Sequence, residues 1–134
     1  HDSAPMDEIY RFVVHLPVID ADVCAVLARY GVRVVMRRAA CQAGTGGRKG
    51  VTAEATVVPE VPGGSVDLFV GQLLTREAAL LTSLGCGDGE GGALIELTGT
   101  GPEANLAFLR LQGLPGAEHM RVIERPGGLE DPHG

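Results

Sequence analysis

Arginines are the side chains in this 134-residue chain best equipped for polar chemistry. Between Val23 and Ala53 there is no acidic residue, yet Arg29, Arg33, Arg37, Arg38, Arg48 and Lys49 all fall there, so this stretch carries +6 and the remainder −12. A guanidinium is a permanently charged, planar fork of N–H donors that meets a carboxylate or phosphate with two parallel hydrogen bonds. Grouped with Arg11, these residues could hold an anionic small molecule or an acidic partner surface. The plainer alternative is that Arg11 or Arg37 pairs with a carboxylate from another segment, Glu54 first among them. For catalysis the one acid–base pair on offer is His15 with Glu54, and no Ser, Cys or metal cluster is placed to join it. A histidine alone on a strand is more often structural.

Glycine supplies the next candidates, with 20 residues in the chain. Gly99-Thr100-Gly101-Pro102-Glu103-Ala104 obeys G-x-G-x-x-A, and Glu124 lies about twenty residues beyond, as in a dinucleotide-binding turn. Too little chain follows Glu124 for the third strand of such a unit, so a capped strand-to-helix turn is expected instead. Gly44 to Gly50 resembles a phosphate loop in composition only. Arg48 stands where its second glycine should be, and Gly50 where a metal-binding hydroxyl should be. Asp88 and Glu90 lack the ligand spacing of a calcium loop. Cys24, Cys41 and Cys86 are odd in number and contain no C-x-x-C pair, which argues against a disulfide framework or zinc site and for a reducing cytoplasm. Cys86, among carboxylates, is a poor nucleophile. The histidines show no metal-ligand spacing, and neither a metal nor a cofactor is expected.

The elements that must position these groups follow from periodicity. Ile9 to Leu16 alternates as a half-buried strand, with Phe12, Val14 and Leu16 opposite Arg11, Val13 and His15. Asp20 is a good N-cap for a helix carrying Val23, Val26, Leu27 and Tyr30, which Gly31 ends. Val32 to Cys41 and Val51 to Val58 read as strands. Pro59, Pro62, Gly63 and Gly64 mark a turn. Gly71 interrupts an otherwise helical pattern, so residues 66–73 are read as a strand and 76–84 as a helix closed by Gly85. Ala93 to Thr98 is a strand, Thr100 and Glu103 form a capping box for a helix to Gln112, and His119 to Arg125 is the last strand. If strands 9–16, 32–41 and 51–58 are neighbours, one open face gathers Arg11, His15, Arg33, Arg37, Thr52, Glu54 and Thr56.

These elements predict a single α+β domain over 7–125, ferredoxin-like, a split βαβ sheet with two or three helices on one face and an extra strand or helix. Residues 1–6 read as a cloning scar or loose N-terminus, and 126–134 as a flexible tail. The β-α-β-β opening and closing helix-strand are similar in pattern to ACT-type ligand-sensing domains, although Leu16 to Asp20 lacks the glycine common at their first strand-to-helix turn. The similarity is one of fold only. A net charge of −6 and a strand Val51–Val58 without aromatics argue against nucleic-acid binding. The charge-free stretches, broken by Gly, Thr and Pro, argue against a membrane span. The expected function is a non-catalytic binding or regulatory module, a homo-oligomer, recognising an anion or acidic surface through Arg11, Arg33, Arg37, Arg38, Arg48 and Lys49. The alternatives are a small cytoplasmic enzyme using His15 and Glu54, and a purely structural protein-interaction domain.

Overall fold

Alternation and capping translate directly into the first half of the fold. Residues 8–40, 52–59, 65–86 and 92–126 are described by the computed structural model. Strand β1 (Ile9–Leu16) leads to helix α1 (Ala21–Arg29), then to strands β2 (Arg33–Ala39) and β3 (Thr52–Val57). Asp20 caps α1 as expected, its carboxylate accepting from the Val23 N–H at 3.0 Å, which satisfies one of the donors that a helix start leaves open. Helix α2 (Val66–Leu84), strand β4 (Ala93–Thr100), helix α3 (Gly101–Gln112), a 3-10 turn at Ala117–His119 and strand β5 (Arg121–Glu124) complete the chain. The loop carrying Arg48 and Lys49, the centre of the second glycine-rich loop, and both chain ends lie outside the described residues.

The five strands form one sheet in the order β3-β2-β4-β1-β5, with every neighbouring pair antiparallel. The α+β class is as expected, but the ferredoxin-like arrangement is not confirmed. The β1-α1-β2 opening does leave a gap one strand wide, yet β4 fills it and β3 pairs on the outside of β2. Each helical connection therefore skips one strand: α1 crosses over β4, α2 over β2 and α3 over β1. Period-two alternation assigns faces to a strand but carries no information about which strand lies beside it.

One face of the sheet builds the core. Phe12, Val14 and Leu16 of β1 join Val34 and Met36 of β2, Val57 of β3, and Ile95 and Leu97 of β4. The helices cover them with Val23, Cys24 and Leu27, with Phe69, Leu73 and Leu80, and with Ala104, Ala107, Phe108 and Leu111. The Phe12 and Phe108 rings stack with centroids 4.5 Å apart. Burial pushes the Cys24 thiol up to about 12, so it behaves as a small apolar side chain. Cys86 departs from the reduced state expected for all three cysteines: it is disulfide-bonded. Its sulfur lies 3.8 Å from the Ala39 carbonyl, a return of the α2 end to the β2 end that residue spacing does not disclose.

Residues 66–84 correct the sequence expectation of a strand followed by a helix. They form a single 19-residue helix, capped by Ser65 at the Leu68 N–H and closed by Gly85 in the left-handed region. Phe69, Leu73, Glu77, Leu80 and Leu84 recur at helical spacing and are all buried, a stripe long enough to outweigh Gly71. The capping box expected at Thr100 also differs, because the Thr100 side chain makes no capping bond. The last strand is shortened at its start by the 3-10 turn.

Two glycines separate tolerance from necessity. A Cβ at Gly71 would meet nothing within 4 Å, whereas at Gly92, with φ of +67°, it would lie 2.7 Å from the Leu16 carbonyl oxygen and 2.8 Å from His15 Cε1. Gly71→Ala is expected to stabilise the fold by about 0.5–1 kcal/mol through better helix propensity. Gly92→Ala is expected to destabilise it by about 1–3 kcal/mol through strain and collision. Thermal unfolding followed by circular dichroism checks both signs.

Candidate functional site

The face of the sheet turned away from the core carries an ion-paired row that spans all five strands. In strand order it reads Glu54, Arg37, Glu96, Arg11, Glu124. Arg37 donates from Nε to Glu54 at 2.9 Å and pairs through Nη1 with Glu96 at 3.1 Å. Arg11 donates from Nε and Nη2 to the two Glu96 oxygens at 2.8 and 3.3 Å, and from Nη1 to Glu124. Antiparallel register puts Glu54 directly across from Arg37, while Glu96 stands opposite Val13 and Val35 and reaches both arginines diagonally. Those valines are 6% and 4% exposed, on the face opposite the buried core. Arginine stems held flat by their carboxylates can cover such apolar ground.

Charge pairing sets the ionisation of the row. Hydrogen bonding from Arg11 holds the Glu96 carboxyl below the usual range, with Arg37 adding to this and partial burial opposing it. Arg11 is held further into its charged form chiefly by Glu96, and Arg37 chiefly by Glu54. Both guanidiniums thus already serve two carboxylates each, the pairing that stood as the plainer alternative.

His15 and Glu54 are not brought together. His15 stands across from Leu94, Leu94 from Arg37, and Arg37 from Glu54, so three strand spacings separate them, about 14 Å. The supposed adjacency of β1 and β2 is what fails, because β4 lies between them. Arg33 is exposed and has no ion pair among the described residues. In the G-x-G-x-x-A segment, the space above each glycine belongs to protein: Val32 Cγ1 lies 3.2 Å from a Cβ placed at Gly99, and the Tyr10 ring 3.5 Å from one at Gly101. The Gly101 N–H is bonded to the Glu8 carbonyl at 2.8 Å, which supports the ordinary strand-to-helix turn.

Arg38 leaves the open face altogether. Its place in the alternation is with Val34 and Met36, so it points toward the helices, where it is 4% exposed. There it donates from Nε to Glu77 Oε2 at 2.8 Å and from Nη2 to the same oxygen. Glu77 is 5% exposed, and its Oε1 is buried without a hydrogen-bond partner. Above this pair opens a cleft of about 280 Å³, walled by Val18 and Ile19 from the β1–α1 turn and by Leu74, Ala78 and Leu81 from α2. A larger hollow of about 540 Å³ follows α2, but all its lining residues belong to that helix. The smaller cleft is the better candidate, because walls from two segments and a polar floor can enclose and orient a ligand. Sequence reasoning misses Glu77 because a strand over 66–73 separates it from Phe69 and Leu73, with which it shares one helical stripe. The signal was present: in one continuous helix, Glu77 falls on the stripe of Phe69, Leu73 and Leu80.

No group of three His, Cys, Asp or Glu side chains suited to a metal occurs among the described residues. No described helix is long and apolar enough to cross a membrane. Glu96 ionises more readily in the folded chain than in the unfolded one, so its contribution is complete above the ordinary glutamate pKa of about 4.3 and is lost as pH falls through the depressed folded value. Glu96→Gln, which leaves two guanidiniums facing a neutral group, is expected to cost about 1–3 kcal/mol at neutral pH. The difference between the two proteins should shrink on acidification, as denaturant melts at several pH values would record. Comparison with known proteins finds no family model, curated protein or solved structure that matches the chain.

Proposed function

We propose that the chain is a non-catalytic binding or regulatory module whose ligand is a small molecule held in the cleft between α2 and the β1–α1 turn. One observation carries this reading: an apolar-walled cleft of about 280 Å³ has a buried ion pair, Arg38–Glu77, as its floor. Apolar walls supply affinity by releasing water, and a few fixed polar groups supply orientation. The open sheet face supports an anion site less well. An incoming phosphate or carboxylate would have to displace Glu54, Glu96 or Glu124 from Arg11 and Arg37. Arg33 remains for an acidic partner surface. The separation of His15 from Glu54 removes support from an acid–base enzyme on that face.

Titration with a library of small organic fragments, followed through backbone amide shifts, tests the cleft. Perturbations confined to Val18, Ile19, Leu74, Ala78 and Leu81 are the expected result, abolished by Ala78→Trp and untouched by Arg33→Ala. Shifts centred on Arg33, or none at all, would overturn it.

Self-association through the β3 edge is a second reading with its own support. At the other edge, β5 is only four residues long and meets β1 with a register shift, which discourages further pairing. Strand β3 is regular against β2 and carries no Pro or Lys. Two copies paired antiparallel about Ala55 would set each Glu54 opposite the other copy's Thr56. Sedimentation equilibrium should give a dimer that Thr56→Lys dissociates; a monomer at all accessible concentrations counts against the edge.

A further inference from the structure

We infer that the partner at the β3 edge is a second copy of the chain that brings its own α2, so that strand and helix together form one two-fold interface. This rests on the β3 edge pairing with itself and goes on to give α2 a part in that contact. Helix α2 packs on β3 and β2 at the margin of the sheet, with α1 along one side of it. Leu74 and Leu81 look toward the β1–α1 turn, and Phe69, Leu73 and Leu80 toward the sheet. At about 100° per residue, Leu68, Gln72, Thr75 and Ala79 then fall on the remaining side, turned away from both and overhanging the free edge of β3.

That side is hollowed, and these four residues help to line the depression of about 540 Å³. Asp67 and Arg76 are the only exposed charged residues on α2, whereas a helix facing water ordinarily carries charge along its outer face. Leu68 is 57% exposed. Strand spacing supplies the geometric argument. Neighbouring strands stand about 4.8 Å apart, so two copies joined at β3 carry their α2 axes within roughly 10 Å of each other. Helices pack at about 8–10 Å, and the near end of that range needs small side chains between them. The edges therefore cannot join without the helices meeting, and Thr75 and Ala79 are small enough to let them meet. Area argues the same way. Strand β3 offers six residues a side, well short of the roughly 20–30 in a stable interface, and the flank of α2 enlarges the contact without rearrangement.

Sedimentation equilibrium on the full chain and three single variants tests the joint interface. The unaltered chain should dimerise, and Ala79→Lys on the helix and Thr56→Lys on the edge should each raise the dissociation constant at least about tenfold, because each sets a cation inside the contact. Leu109→Lys, on α3 above the other half of the sheet, makes the same change of charge at a position 50% exposed and should leave the constant unchanged. All three positions are exposed, so the fold is kept, as circular dichroism verifies. A dimer that Thr56→Lys dissociates and Ala79→Lys leaves unchanged would overturn the helix contact while sparing the edge. One that Ala79→Lys dissociates and Thr56→Lys leaves unchanged would overturn the joint interface in favour of a helix contact alone. Equal weakening by Leu109→Lys would overturn it in favour of a general effect of charge. A monomer at all accessible concentrations would overturn the edge reading and this one together.

Discussion

Glu96 occupies the one position from which a single carboxylate can serve both halves of the sheet. It stands on β4, the strand that joins β1 to β2, and it draws Arg11 from one side and Arg37 from the other. Burial of a charge is costly unless partners replace the lost water, and here two guanidiniums do so. The outer carboxylates, Glu54 and Glu124, then neutralise what the arginines have left over. The row is consequently a closed circuit of charge, with one carboxylate more than its guanidiniums. Its physical effect is to tie β4 to both of its neighbours, because Glu96, opposite Val13 and Val35 in register, reaches Arg11 on one side and Arg37 on the other.

That circuit explains why the apparent arginine-rich face and the observed one differ. Counting charges along residues 23–53 finds six cations and no anion, and the count is correct as arithmetic. Elements from elsewhere supply the carboxylates, and linear distance hides them: Arg38 and Glu77 are 39 residues apart, and Arg37 reaches Glu96 on β4. Net charge over a segment therefore describes a surface only where the neighbouring segments are known.

What could be read from the chain was local. The extents of β1 and α1, the Asp20 cap, the closing role of Gly85 and the inward faces of Phe12, Val14, Val34 and Met36 all follow from periodicity and capping chemistry. Strand order did not follow, because alternation is blind to neighbours. The long helix was obscured by one glycine, whose modest cost a five-residue buried stripe easily exceeds. The cleft was half visible. Arg38 alternates with Val34 and Met36, which already places it indoors, but its partner emerges only when residues 66–84 are wound as one helix.

The skipping of one strand by every helical connection has a consequence for how the molecule forms. Only the β2–β3 pair joins strands adjacent in sequence; Phe12 must find Leu97, and Val34 must find the same residue from the other side. Pairing across such distances carries the loop-closure entropy in advance of any contact, so folding should be slow for a chain of this size. Until β4 is in place, β1 and the β2–β3 hairpin have no shared hydrogen bonds and remain two unconnected fragments. The last-arriving central strand is thus a keystone, and assembly of the sheet is closer to a single locking event than to a progressive zipping from one edge.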